Sequence, residues 1–171
     1  MPPRASAPRS FAVLDHGAHG TCVDVWLEQS AKGLSAPALA RLCEVALSAL
    51  WLRTKTTLGE VTLGAIGERV LFTAAEKFPF FNAFKVEPGL GIELRVDHSP
   101  AFRDDAELRD GIRFLLVELL SVLGNLTAEI LTPELHAELM VVTLPKAVRL
   151  VQGAEASPGQ RKRQSGEGGQ L

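Results

Sequence analysis

The sequence predicts an α+β fold, mainly helical, with a small antiparallel sheet (a hairpin at about 83–97) packed on a long apolar helix. Three observations predict it. An apolar stripe of helical period runs through Leu39, Leu42, Cys43, Ala46, Leu47, Leu50 and Trp51. Two alternating segments flank the turn dipeptide Pro88-Gly89, which is the pattern of a hairpin. The most apolar stretch, Gly111 to Val142, carries its own stop and restart signals.

The first helical stripe has a natural start. Ser35 is a capping residue and Pro37 falls in the first turn, where a missing N–H costs nothing. Thr57-Leu58-Gly59-Glu60 has capping-box form, with Thr62 as a competing cap for a second helix. On that helix Leu63, Ile66, Val70, Leu71, Ala74 and Phe78 form the stripe, and Pro79 ends it. Lys77 to Asn82 makes an aromatic corner ahead of the hairpin. Asp104 or Asp105 can cap the long helix, with acids favoured in its first turn. Thr132-Pro133 reads as a cap and first turn, opening a last helix that runs from Pro133 to about Thr143.

The N-terminal part reads differently. Phe11–Leu14 is a short apolar run, and Asp15 to Gly20 reads as a polar turn. Thr21–Leu27 alternates and is β-rich, so a strand is expected there, with a helix from Val23 as the rival. Residues 1–10 and 151–171 are poor in large apolar side chains and are expected to be disordered, leaving one globular domain over 11–150.

Composition excludes more than it assigns. A formal charge of −2 gives no electrostatic reason to expect nucleic acid or an anionic membrane. The longest apolar run is broken by Arg113 and Glu118, so it does not suit a membrane span. The N-terminus lacks the apolar core of a signal peptide. A cytoplasmic protein is expected, and the Ala, Arg, Gly and Leu richness fits a bacterial source.

Candidate site residues are few. His16, His19 and Cys22 are metal-ligand types among glycines, though their spacing matches no zinc module, so a plain polar turn is the expectation. Asp97-His98-Ser99 cannot form a triad from adjacent positions. His136, flanked by Glu134 and Glu138, has the residue types of a phosphoaccepting helix but reads as a solvated face. No cofactor motif is present: Gly59, Gly64 and Gly67 do not make a phosphate loop.

The long helix reads as apolar nearly all round, more than the rest of the chain can cover. Self-association is therefore expected, with Ile112, Leu116, Leu119 and Leu123 at the interface and Glu118 as the polar group needing a partner. The function expected on these grounds is non-enzymatic: regulation or signalling by contact with itself and a further protein. One alternative is a ligand sensor with a pocket at Phe78, Phe81 and Phe84. Another is a metal-dependent protein using His16, His19 and Cys22.

Overall fold

The computed structural model describes residues 15–94 and 104–145, and of their side chains those from Gly17 on. Phe11–Leu14, Asp97-His98-Ser99, residues 95–97 of the expected hairpin and both expected tails lie outside the described residues. The described elements are five helices, α1 (Asp15–Ser30), α2 (Ala36–Leu58), α3 (Glu60–Lys77), α4 (Asp105–Leu126) and α5 (Thr132–Val141), and one antiparallel pair, β1 (Phe84–Glu87) and β2 (Gly91–Leu94). Mainly helical α+β is thus the observed class.

The first helix corrects the strand expected at Thr21–Leu27 and the turn at Asp15–Gly20. Alternation of Val23, Val25 and Leu27 suits a strand, but Val23, Trp26, Leu27 and Ser30 are buried while Val25 is 41% exposed. That is a helical stripe, and it decides the outcome because it lies against α4 and α5. Trp26 Nε1–H and Ser30 Oγ both donate to the carbonyl of Val142, at 3.0 and 3.2 Å, so α1 is tied to the end of α5. Gly17 and Gly20 are accommodated as weak helix formers, not as turn residues.

Every residue of the stripe expected on α2 is buried. Neither Thr57 nor Thr62 caps the next helix. Helix α2 continues through both Thr57 and Leu58, and Gly59 stops it with φ +77°, its N–H bonding Lys55 O at 2.9 Å. Gly59 then serves as the first residue before α3, a junction for which a left-handed backbone favours glycine. After Lys77 a 3₁₀ turn, Pro79–Ala83, carries the chain into β1.

The hairpin pairs Phe84 with Leu94 and Glu87 with Gly91. Pro88 and Gly89 occupy the central positions of its turn, with Leu90 N–H donating to Glu87 O at 3.2 Å and Gly89 at φ +82°, as a type II turn requires. Contrary to expectation, the hairpin packs on α2 and α3, not on the long helix. Glycine explains the fit. A Cβ at Gly67 of α3 would lie 3.0 Å from Val86 and 3.2 Å from Trp51, and one at Gly91 would lie 3.0 Å from the Trp51 indole. The strands come so close because two side chains are absent. Glu44, 9% exposed, closes the contact: its carboxylate accepts the Leu94 N–H at 2.6 Å and Arg41 Nη1 at 2.7 Å.

Asp104 caps α4 as expected, accepting the Ala106 N–H at 3.1 Å. Helix α4 is surrounded by α1, α2, α3 and α5. Ile112, Leu116, Leu119 and Leu123 are 0–4% exposed within one chain. Burial of each is worth roughly 1.5–3 kcal/mol, and the chain's own helices supply it. The premise that a second subunit must cover these four is therefore corrected. Nor is α4 apolar all round: Glu107, Asp110, Arg113 and Asn125 are exposed, with Glu118 half-buried among them. Among the described residues Glu118 has no ion-pair partner. No described helix is long and apolar enough to cross a membrane.

Candidate functional site

The structure brings together two histidines that the sequence separates by 117 positions. His19, on the inner face of α1, is 1% exposed. His136 of α5 is half-buried, not on the solvated face expected for it. Their rings meet edge-on, perpendicular, with Nδ1 of His19 and Nε2 of His136 at 2.8 Å. A contact this short between ring nitrogens requires a proton on one and a lone pair on the other.

A third group comes from the turn between α4 and α5. Glu129 Oε2 lies 3.8 Å from Nε2 of His19 and accepts a hydrogen bond from the Thr132 hydroxyl. The turn holds this carboxylate in an unusual backbone: Ala128 and Glu129 both have positive φ, +49° and +63°. For residues with a Cβ this conformation is strained, by about 1 kcal/mol or more each. Two features maintain it. Glu129 N–H donates to Gly124 O at 2.8 Å, and the carboxylate folds over Gly124, where an added Cβ would come within 2.5 Å of Oε1.

Electrostatics follow from this packing. Burial pushes the His136 pKa below the ordinary histidine value, the neighbouring His19 pushes it further, and Glu129 partly opposes both. Nearby, Arg113 reaches over Gly20 and grips Asp24 with two hydrogen bonds of 2.6 and 3.0 Å, holding that exposed carboxyl below its usual range.

The metal-ligand candidates do not converge. His19 and Cys22 sit three residues apart on α1, Cys22 half-buried with its thiol pushed up by burial. The His16 side chain lies outside the described residues. His19 presents one ring nitrogen to His136 and the opposite one to Glu129, so those three groups do not face a common point. Accordingly no group of three His, Cys, Asp or Glu side chains among the described residues could hold a metal ion.

The aromatic candidates do assemble. Phe78, Phe80, Phe81 and Phe84 stack with centroids 4.5–6.4 Å apart, and Phe114 of α4 joins at Phe78. Lys77 Nζ stands 4.6 Å above the Phe114 ring. Phe81 and Phe84 also line an open groove of about 360 Å³ together with Glu68, Leu71, Phe72, Ala75, Asn82, Lys85 and Val86. Phe78 does not line it. Phe84, Lys85 and Val86 are consecutive and point to alternate faces of the strand, so the groove runs along the edge of β1. Leu94 turns its N–H outward to Glu44, which makes Phe84–Leu94 a non-hydrogen-bonded pair of the ladder and, two residues on, Val86–Ile92 another. The Val86 N–H and C=O therefore face the outer edge of β1. Above the groove stands Phe72, 67% exposed.

Sequence reading missed Glu129 and Phe72. Nothing local marks Glu129, because its role depends on a backbone turn and a histidine more than a hundred positions away. Phe72 was detectable: it lies immediately after Leu71 and off the α3 stripe, so it had to point outward.

Compared with known proteins, the chain matches no family model, no curated protein and no solved structure.

Proposed function

We propose that this chain is a bacterial, cytoplasmic regulatory protein that acts by protein–protein contact and not by catalysis, and that it pairs with a second copy of itself through the β1 edge. The observation that carries this is Phe72, 67% exposed beside a groove lined by Leu71, Ala75, Phe81, Phe84 and Val86. A large aromatic side chain left in water forgoes about 1.5–3 kcal/mol of burial. The patch is suited to its own image. A two-fold contact places knob opposite hole, so Phe72 of each copy enters the groove of the other. The groove carries Glu68 on the helical wall and Lys85, ion-paired with Glu87 in the same chain, on the strand wall. The Val86 backbone offers a strand edge to an antiparallel partner. This relocates the expected homodimer from α4 to α3 and β1.

Light scattering of the full chain at micromolar concentration tests it. The expected mass is that of a dimer, and Phe72→Glu is expected to give a monomer with unchanged helical circular dichroism. A wild-type monomer at about 100 μM, or a dimer indifferent to Phe72→Glu, overturns the reading.

The second reading is a small apolar ligand in the same groove, favoured by its volume, which lies in the range of small-molecule sites, and by Phe81 and Phe84 in its wall. A thermal-shift screen of apolar metabolites on the wild-type chain, with the mass of each stabilised sample read by light scattering, separates the two, since a ligand that stabilises a monomer requires no partner.

A further inference from the structure

We propose that the His19–His136 contact is a proton-sensitive latch that holds α5 against α1 and releases it in mild acid. It concerns different residues from the β1 edge and does not depend on dimerisation.

The geometry supplies the switch. At 2.8 Å the two facing nitrogens share one proton. The pair tolerates one positive charge: His19 keeps Nδ1–H on His136, while its Nε2–H faces the Glu129 carboxylate at 3.8 Å. A second proton can go only to the inner nitrogen of His136, because the outer one already carries the hydrogen of the neutral ring. Two imidazolium rings then lie with centroids 5.0 Å apart, one of them 1% exposed. Two like charges at this distance in a poorly hydrated seam repel strongly. If both inner nitrogens carry hydrogen, the bond itself is lost.

The surroundings set the direction. On α5, Glu134 is engaged by Arg53 of α2, and Glu138 lies one helical turn beyond it. Glu129 of the turn bonds Thr132. On α1, Asp24 is held by Arg113 of α4, and Arg109 of α4 reaches Glu28. Among the described residues, each nearby carboxylate except Glu129 and Glu138 thus has a cation of its own, and Glu129 faces the rings. The pKa of His136 is lowered by burial and then by His19. A histidine with a lowered folded-state pKa binds more protons when released, so the closed form is fully favoured above the ordinary histidine value and loses ground as pH falls below it.

What opens is also defined. Past the far end of α5, the Val142 carbonyl stays bonded to Trp26 and Ser30. The N-terminal end is joined to α4 by the Ala128–Glu129 turn, whose left-handed backbone is strained in the closed form. Breaking the histidine bond lets this turn relax, and α5 swings about Val142.

Hydrogen exchange of the full chain at pH 7.0 and 5.0, corrected for the intrinsic rate, tests the latch. Amides of Leu135–Leu139 are expected to lose about tenfold or more of their protection on acidification. Amides of Leu47–Trp51 in α2 keep theirs. His136→Gln, which retains a hydrogen-bonding side chain but cannot titrate, removes the pH dependence. Parallel behaviour of the two helices, or an unchanged dependence in His136→Gln, overturns the proposal. If that variant fails to fold, an NMR titration of the wild-type imidazoles decides. Two coupled steps, the later one His136 below its ordinary value, support the latch, and two independent ordinary titrations end it.

Discussion

The seam between α1 and α5 and the seam between the hairpin and helices α2 and α3 are built by opposite means. The first joins residues more than a hundred positions apart through polar groups: Trp26 and Ser30 on the Val142 carbonyl, His19 on His136. The second joins residues closer in sequence mainly by shape, with Trp51, Val86 and Ile92 filling the space left by Gly67 and Gly91 and the Glu44 carboxylate added on the Leu94 N–H at its margin. A shape-matched apolar contact is indifferent to pH and intolerant of a methyl group. A polar contact in a buried seam tolerates small changes of volume but responds to protons and to any loss of a partner. The molecule therefore has one rigid side and one responsive side.

Substitutions can break this contrast, starting with the largest. Trp26→Ala removes a fully buried indole and leaves the Val142 carbonyl with one donor fewer. A loss of about 3–5 kcal/mol is expected, read as a shift of the urea midpoint. Gly91→Ala attacks the other seam. Its φ of +100° disfavours a Cβ, and that Cβ would lie 3.0 Å from Trp51 Cγ. A loss of about 1–3 kcal/mol is expected, unchanged between pH 5 and 7, and a pH-dependent loss would contradict the rigid assignment. The smallest effect has the opposite sign. Ala128→Gly suits the φ of +49° and is expected to raise stability by about 0.5–1 kcal/mol while leaving the His136 titration in place. A destabilised variant would show that the turn is not strained.

The two sides were not equally legible in the sequence. The rigid side was largely readable, because its signals are local. Stripe period placed α2, Pro79 closed α3, and Pro88-Gly89 fixed the turn. What hid was the seat of the hairpin, since Gly67 and Gly91 declare close approach only once Trp51 is known to fill the gap. On the responsive side the reading failed at α1. Thr21–Leu27 alternates like a strand, and only burial against α4 and α5 selects the helix. His19 and His136 were each singled out, but for a metal turn and a solvated face. Their meeting depends on that helix and on a left-handed turn at Ala128 and Glu129 that no sequence rule marks. The four leucine and isoleucine positions of α4 were correctly read as needing cover, but the cover comes from the chain's own helices.

Glu44 has a consequence for assembly. By receiving the Leu94 N–H, its carboxylate occupies a place that the carbonyl of a further strand would take, and stoppers the outer edge of β2 at that residue. The edge of β1 has Val86 facing outward instead. Two copies joined along β1 would make a four-stranded ribbon with a stoppered strand on each flank. Such a ribbon terminates at two chains, where a sheet open on both sides could polymerise into a filament.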